Sequence, residues 1–376
     1  MKKPKIILIS SITLILLGVT FVSSNNIQTN YFKNYNIDKD LSIIVGPFPQ
    51  NPDKNSITIS WETSEKTQNN KVNYGENPDC DKTAFENNSL EIDFHKVRLS
   101  GLSNSKKYYY KVNSDGIESN IYSFYTMSET NDTIKFIAYG DNRGEWDNWN
   151  NASIVATAIE KENPFFVLNT GDLVHNGTVL EQWYNFFNIS NFIHNSTLFP
   201  VLGNHEIYGS YYFKYFILPN NEKWYSIDTG PVKIIGLDSN DLGFFRPLQI
   251  IWLIKELMTN ENPFTIIFFH HPLYSSGNHG SFVGLRFLWG PFFQLYKVDM
   301  VINGHDHSYE RGKVLNINYI VTGGGGGPLY DIGESWWTVY SESVYHYCLI
   351  EVDNNTFSFQ AKKPDGTIID SLIIEK

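Results

Sequence analysis

Five short apolar runs beyond residue 130 each lead into a cluster of glycine, aspartate, asparagine or histidine. The runs have the length and composition of buried β-strands and cover residues 134–139, 164–169, 197–202, 264–269 and 298–302. The polar clusters that follow them start at Gly140, Gly171, Gly203, His270 and Gly304. Because segments of helix length separate the runs, this region predicts an α/β domain whose polar loops gather along one edge.

We expect helices in four segments between these strands, namely residues 151–161, 180–192, 246–258 and 285–296. The third segment carries one apolar stripe with the spacing i, i+3, i+4 and i+7, formed by Ile250, Leu253, Ile254 and Leu257. Two further strand-like runs, 224–226 and 233–237, are separated by a turn at 228–230. They indicate a hairpin added to the domain.

The region from residue 41 to residue 127 predicts a β-sandwich, because short alternating strands follow one another with frequent turns. In residues 56–61 the period of two puts Ile57, Ile59 and Trp61 on one face. Further strands are expected at 71–75, 96–99 and 107–112, and the last of these contains a tyrosine suited to a tyrosine corner. Histidines and carboxylates do not gather here, so the region is interpreted as structural or as a spacer.

The first residues of the chain have the pattern of an export signal. Lys2, Lys3 and Lys5 precede an apolar run over residues 6–22, and Ser23 and Ser24 follow. The run is at the short end of the ~17–25 residues that span a bilayer, so an uncleaved N-terminal anchor is the alternative to cleavage after Ser24. We therefore expect a secreted or extracytoplasmic protein with a signal or anchor at 1–24, a polar linker at 25–40 and folded domains at 41–129 and 130–376.

Composition excludes several classes of protein. Hydrophobic residues make up 41% of the chain and charged residues only 18%, which is not the composition of a disordered protein. A formal charge of −11 argues against a nucleic-acid-binding domain, which needs a basic face. Cys80 and Cys348 are the only cysteines, too few for a thiolate zinc cage. They form either one long-range bridge or, the favoured interpretation, two buried thiols.

The polar clusters have the chemistry of a metal site. Seven of the ten histidines lie in them or just beyond, namely His175, His205, His270, His271, His279, His305 and His307. Imidazoles, carboxylates and an amide without thiols suit borderline divalent or trivalent metals. In extended backbone His305 and His307 point the same way, about 6.6 Å apart. Two cations ~3.5–4 Å apart could each take one of them, with an aspartate as the anionic bridge.

These motifs, in this order, resemble the calcineurin-like metallophosphoesterases, and the purple acid phosphatase branch in particular. The most similar stretches are residues 305–311 (HDHSYER) and 270–275 (HHPLYS), and residues 46–52 resemble part of the fibronectin III-like domain that precedes the catalytic domain. The resemblance implies an all-β fibronectin III-like sandwich followed by an α/β metallophosphoesterase domain, a two-sheet α-β-β-α sandwich. It also implies hydrolysis of phosphate monoesters through a metal-bound hydroxide.

Carried over by position, the resemblance implies roles for individual residues. Three would hold the first metal: Asp141, Asp172 and His307. Asp172 would bridge to a second metal held by three more: Asn204, His270 and His305. Two match family histidines that contact phosphate and protonate the leaving group: His205 and His279. The cofactors would be two divalent or trivalent metal ions, with Fe, Mn and Zn as candidates.

Two positions depart from the purple acid phosphatase pattern. His175 stands where that branch has a metal-binding tyrosine, so we expect a protein that is not purple, in which His175 is either a substitute ligand or a residue of the pocket wall. Arg143 stands where many metallophosphoesterases have a histidine ligand. Arginine cannot ligate a cation, but it can hold phosphate oxygens in a bidentate manner. We expect Arg143 to contact substrate, the alternative being a salt bridge, and the first metal to have fewer protein ligands.

Two other functions fit the same sequence. A phosphodiesterase or nucleotidase would use the same fold with a different ester. A non-catalytic surface-binding protein would rely on the sandwich domain and keep the phosphatase domain as a relic, which the intact ligand set argues against. The expected partner is a phosphate ester substrate, with membrane contact only through an uncleaved N-terminal anchor.

Overall fold

The computed structural model describes residues 40–87, 91–129, 132–240 and 247–376, of which Leu41–Lys376 belong to one compact unit. The predicted signal or anchor and nearly all of the predicted linker lie outside the described residues. Within the described ranges, no helix is long and apolar enough to cross a membrane.

The N-terminal region is a sandwich of two antiparallel sheets. Its strands are β1 (Ile43–Gln50), β2 (Ser56–Thr67), β3 (Asn70–Gly75), β4 (Lys82–Phe85), β5 (Ile92–Ser100), β6 (Lys107–Ser114), β7 (Ile117–Glu118) and β8 (Tyr122–Tyr125). One sheet has the order β1-β2-β5 and the other β4-β3-β6-β7, with β8 paired to β6. The predicted tyrosine corner is Tyr108, whose hydroxyl oxygen accepts the Ser103 N–H at 3.0 Å.

Strand β2 is buried on both of its faces from Ser56 to Thr63. Ile57, Ile59 and Trp61 lie in the core of the sandwich as the alternation predicts. The opposite face is covered by the second domain, where the Glu62 carboxylate accepts the Tyr215 hydroxyl at 2.8 Å. The two domains therefore share a buried polar contact, and they also pack through Phe48 of β1, whose ring stacks on that of Phe187 with centroids 5.4 Å apart.

The second region contains two mixed sheets and helices on both sides. Its strands are β9 (Ile134–Tyr139), β10 (Phe166–Asn169), β11 (Thr197–Pro200), β12 (Tyr225–Thr229), β13 (Val232–Gly236), β14 (Phe264–Phe268), β15 (Met300–Asn303), β16 (Tyr309–Val314), β17 (Ile317–Thr322), β18 (Thr338–Glu342), β19 (Tyr347–Val352), β20 (Thr356–Lys362) and β21 (Ile368–Glu375). Its helices are α1 (Asn150–Glu162), α2 (Leu180–Ile189), α3 (Tyr211–Tyr215), α4 (Pro247–Met258) and α5 (Val283–Leu295), with 3-10 turns at Glu145–Asp147 and Asn191–His194. One sheet has the order β11-β10-β9-β19-β20-β21 and the other β12-β13-β14-β15-β17-β16-β18.

Along the strands of the seven-stranded sheet, alternate side chains face opposite sides of the sheet, and each side packs into a core of its own. Ile234 and Ile266 belong to the core that this sheet shares with the six-stranded sheet. Their neighbours Ile235 and Ile267 belong to a separate core with Leu253 of α4 and other side chains of α4 and α5. Successive residues of a strand point to opposite faces, so each strand serves both cores. The predicted sandwich followed by a two-sheet α/β domain is confirmed.

Several details refine the sequence-based expectations. The predicted helix at 180–192 ends earlier, because α2 stops at Ile189 and a 3-10 turn follows. Strand β8 ends at Tyr125 and β9 begins at Ile134, and the domain division at residues 129 and 130 stays a prediction. Cys80 and Cys348 are both buried free thiols, so the alternative of a long-range bridge is wrong.

Candidate metal centre

Loops from both sheets of the α/β domain meet at one site. Strands β9, β10 and β11 run parallel, so the loops after their carboxyl ends, which carry Asp141, Asp172 and Asn204, lie side by side. Strands β14 and β15 of the other sheet are also parallel, and His270 and His305 follow them. Donor atoms of Asp141, Asp172 and His270 lie within 4.8 Å of one another. The tertiary structure thus brings together residues from separate clusters of the sequence.

Several atoms that can bind a metal converge on Nε2 of His270. Its Nε2 lies 3.1 Å from Nδ1 of His305 and 2.9 Å from Oδ1 of Asn204. It also lies 3.5 Å from Oδ1 of Asp172. Because Nδ1 of His270 donates to the Thr170 carbonyl at 3.0 Å, Nε2 carries a lone pair rather than a proton. Metal–ligand bonds of ~2.0–2.2 Å put neighbouring donor atoms about 3 Å apart, so this group fits a shared cation.

A second pair of acceptors lies beside this group. Nε2 of His307 is 3.5 Å from Oδ1 of Asp141, and both side chains are fully buried. Nδ1 of His307 donates to the Pro328 carbonyl at 2.6 Å, which again leaves Nε2 without a proton. Within the described residues, Oδ1 of Asp141 accepts no hydrogen bond. A buried carboxylate oxygen with no donor is costly unless a cation is bound, so these residues also fit a metal.

Arg143 lies on the same side of the site as His307. One terminal nitrogen of its guanidinium donates to Nε2 of His307 at 3.0 Å, and the other donates to Nε2 of His205. The guanidinium also lies 3.8 Å from Oδ2 of Asp172. Only 6% of Arg143 is exposed, so a positive charge is held among the residues predicted for the first metal. Its contact with substrate stays a prediction.

The two histidines predicted to act on the substrate differ in their surroundings. Both ring nitrogens of His205 are engaged, since Nδ1 donates to the His175 carbonyl at 2.5 Å and Nε2 accepts from Arg143. The ring of His279 is exposed and lies against those of His305 and Tyr330, with centroids 4.4 Å and 5.4 Å away. His205 is therefore held in one orientation, whereas His279 presents its ring to solvent.

His175 lies at the rim of the site. Its Nδ1 is 3.1 Å from a carboxylate oxygen of Glu145, and 42% of its side chain is exposed. Its ring packs edge-on against Trp146, with centroids 4.6 Å apart. Among the residues whose positions are described, His175 is absent from the groups of converging donor atoms. Its role as a substitute ligand has no support from this geometry, which agrees better with the pocket-wall alternative.

Two family models match this chain. One, described as calcineurin-like phosphoesterase, matches residues 130–309, and the other, described as the N-terminal domain of purple acid phosphatase, matches residues 48–126. Residues 130–309 therefore form a calcineurin-like phosphoesterase domain. The second match adds that its sandwich is the kind that precedes the catalytic domain in purple acid phosphatases.

Individual relatives of this chain agree with these domain matches. An uncharacterized protein of Mycobacterium tuberculosis is 25% identical over 316 residues, and the aligned part covers 69% of this chain but only 60% of the relative. The Fe(3+)-Zn(2+) purple acid phosphatase 12 of Arabidopsis thaliana is 25% identical, with 85% of this chain and 81% of the relative covered. The structure of purple acid phosphatase PPD1 from yellow lupin seeds superposes with a TM-score of 0.73 at 20% identity, over 88% of this chain and 74% of that chain. These matches support a hydrolase acting on phosphoric ester bonds, and the lupin structure supports the fold.

Burial sets the protonation states of residues in the candidate metal centre. It lowers the pKa of His271 to about 4 and holds the pKa of His270 and of His305 far below the usual range. Neutral imidazole is the form that binds metals, so these histidines are ready to ligate at neutral pH. Burial raises the pKa of Asp141 above its usual range.

Glu206 and His271 take part in the site although the sequence analysis assigns them no role. The buried Glu206 carboxylate accepts the N–H groups of Asp172 and Gly203, each at 2.9 Å, and ties these two loops together. His271 forms a group of converging donors with its neighbour and His305. Both residues directly follow a predicted site residue in the sequence, His205 and His270 respectively, and this was the available signal.

The backbone at three predicted ligands is left-handed, with φ of 56° at Asp141, 56° at Asp172 and 74° at His305. Such conformations cost about 1–3 kcal/mol each and persist where the surroundings hold them. Gly203 is needed for close approach, because a Cβ there would lie 2.1 Å from Oδ1 of Asp172. The loops are thus shaped to bring the carboxylates into contact with the other sheet.

Proposed function

We propose that this chain is an exported phosphatase that hydrolyses phosphate monoesters at a dinuclear metal centre. One observation carries the proposal: Asp172 lies within 4.8 Å of both Asp141, a predicted ligand of the first metal, and His270, a predicted ligand of the second. Oδ1 lies 3.5 Å from Nε2 of His270, whereas Oδ2 lies 3.7 Å from Nε2 of His205 and 3.8 Å from the Arg143 guanidinium. A carboxylate in this position can bridge two cations.

The predicted ligands divide between the two positions. Asp141 and His307 would join Asp172 at the first, and Asn204, His270 and His305 at the second. Bound cations would supply Lewis acidity and a lowered pKa for an attacking water. The name of the Arabidopsis thaliana relative supports iron and zinc among the candidate metals.

The contacts of the remaining residues suggest separate roles. Arg143 has a fork of donors that suits phosphate oxygens. His205 is fixed through both nitrogens and would contact the phosphate. His279 makes no side-chain hydrogen bond to the described residues, so its ring nitrogens are available to protonate the leaving oxygen, a step that contributes ~10²–10⁴-fold in typical enzymes.

The test compares the purified protein with Asp172→Asn and with a control, Asp299→Asn. Asp299 is also a buried carboxylate, and it accepts the Thr265 N–H at 2.9 Å at the opposite end of β15. We expect Asp172→Asn to lose bound metal and aryl phosphate hydrolysis together, and the control to keep both.

Other results would select the alternatives. Faster turnover of a bis-aryl than of a mono-aryl phosphate would favour the phosphodiesterase, and turnover confined to nucleoside phosphates would favour the nucleotidase. A wild-type protein with no bound metal and no hydrolysis would revive the non-catalytic surface-binding protein.

Export is supported by the lysines and the apolar run at the start of the sequence. N-terminal sequencing of protein recovered from the medium and from membranes tests it. A mature start just after Ser24 supports cleavage, a membrane-bound protein starting at Met1 supports an anchor, and a cytoplasmic full-length protein contradicts export.

A further inference from the structure

Asp306 lies between the predicted ligands His305 and His307 in the sequence, and its carboxylate accepts hydrogen bonds from a neighbouring loop. One oxygen accepts the backbone N–H of His279 at 2.7 Å. The other accepts the hydroxyl of Ser275 at 2.5 Å. Because Asp306 is fully buried, both hydrogen bonds are shielded from water.

The segment from Ser275 to His279, which we call the His279 loop, wraps around this carboxylate. The Ser275 hydroxyl oxygen accepts the Gly277 N–H at 3.0 Å. Gly277 lies so close that a Cβ there would be 2.6 Å from Cγ of Asp306. A second buried carboxylate, Glu310, accepts the N–H of Ser276 at 2.7 Å. The loop is therefore anchored through its backbone and its serines.

The ring of His279 has no comparable anchor. It is exposed, and its contacts with described side chains are the rings of His305 and Tyr330. The position of the imidazole over the metal centre is consequently determined by the backbone that carries it.

We propose that Asp306 is a positioning residue that holds His279 over His305, where the leaving oxygen of the substrate is protonated. The inference rests on the proposed function, which makes His279 the proton donor. As the bond from phosphorus to the leaving oxygen breaks, that oxygen keeps the electron pair and takes a proton from the imidazolium of His279. A water molecule provides the new oxygen on phosphorus and gives up its own proton to solvent.

Leaving groups of different basicity separate this role from a structural one. Nitrophenolate departs without a proton, whereas an alkoxide needs one. In Asp306→Ala we expect kcat for an alkyl phosphate to fall about 10²-fold, at the low end of general-acid contributions, and kcat for nitrophenyl phosphate to fall less than about 3-fold. His279→Ala should show the same difference, and the double variant should add nothing further.

Further variants guard against loss of the fold or of the metal. Ser275→Ala and Gly277→Ala disturb the loop without altering a neighbour of a predicted ligand, and both should weaken alkyl phosphate turnover selectively. Asp299→Ala removes a buried carboxylate at the other end of β15 and should leave kcat unchanged for both esters. Metal content is measured for each protein, and equal losses for both esters at full metal content, or additive effects in the double variant, would overturn the proposal.

Hydrogen exchange provides a readout that does not need catalysis. In the metal-loaded wild type the N–H of His279 should be protected, and Asp306→Ala should abolish that protection while Asp299→Ala keeps it. If the His279 N–H remained protected in Asp306→Ala, the proposal that Asp306 holds the His279 loop would be overturned. If the wild type hydrolyses neither ester, the proposed function fails, and the exchange measurement still decides whether Asp306 holds the loop.

Discussion

Replacing Arg143 with leucine is expected to strengthen metal binding and to slow hydrolysis. Its guanidinium lies 3.0 Å from Nε2 of His307 and 3.8 Å from Oδ2 of Asp172. Two unit charges at such a distance interact by about 4 kcal/mol at an effective dielectric constant of ~20. A cation entering beside Asp172 therefore meets a repulsion of similar size, reduced when the flexible side chain withdraws. We expect the first metal to bind about 10- to 100-fold more tightly in the variant, equivalent to about 1.4–2.8 kcal/mol.

If Arg143 contacts the substrate as proposed, the same substitution also removes a charged donor to phosphate. Hydrogen bonds to charged groups contribute about 1.5–3 kcal/mol, so kcat/KM for aryl phosphate should fall about 10- to 100-fold even with both metal positions filled. Calorimetric titration of the metal-free protein with zinc gives the number and affinity of the sites. Arg98→Leu, which alters an arginine of the sandwich bound to the Asn51 carbonyl, serves as the control. Unchanged zinc affinity with unchanged hydrolysis would refute the reasoning.

Two further predictions concern stability. Glu62→Ala removes the acceptor of Tyr215 and the partner of Lys214 at the domain contact, so the free energy of unfolding in urea should fall by about 3 kcal/mol. Glu65→Ala, an exposed position on the same strand, should have little effect, and equal losses would contradict the role of the contact. Burial lowers the pKa of His346 to about 4, so the unfolded chain takes up its proton at higher pH than the folded one, and stability drops as pH falls below ~6.5. Between pH 7 and pH 5 this histidine should account for a loss of about 2 kcal/mol in the free energy of unfolding. The stability of His346→Gln should therefore depend less on pH than that of the wild type. An equal pH dependence in both proteins would show that the histidine does not contribute.

The α/β layers could be predicted only in part, because strand pairing is often non-local. The runs at 134–139 and 264–269 are recognisable from their own residues, and they form β9 and β14. The six-stranded sheet is completed by β19, β20 and β21, and β9 pairs with β19. Apolar periodicity identifies a strand but carries no information about its partner.

The candidate metal centre could likewise be predicted from the sequence only in part. Asp141, Asp172, Asn204, His270 and His305 are evident from their motifs. The orientation of each histidine ring depends on backbone carbonyl groups from other segments of the chain, so the sequence motifs do not predict it.

Local sequence therefore determined the strands, the helices and the polar clusters, since these follow from the periodicity and chemistry of neighbouring residues. Tertiary structure alone decided that Arg143 faces His307, that His175 lies at the rim and that Asp306 holds the His279 loop. Each of these depends on which loops of two sheets come within hydrogen-bonding distance. That distance is set by the packing of the sheets against each other and not by any segment of the chain alone.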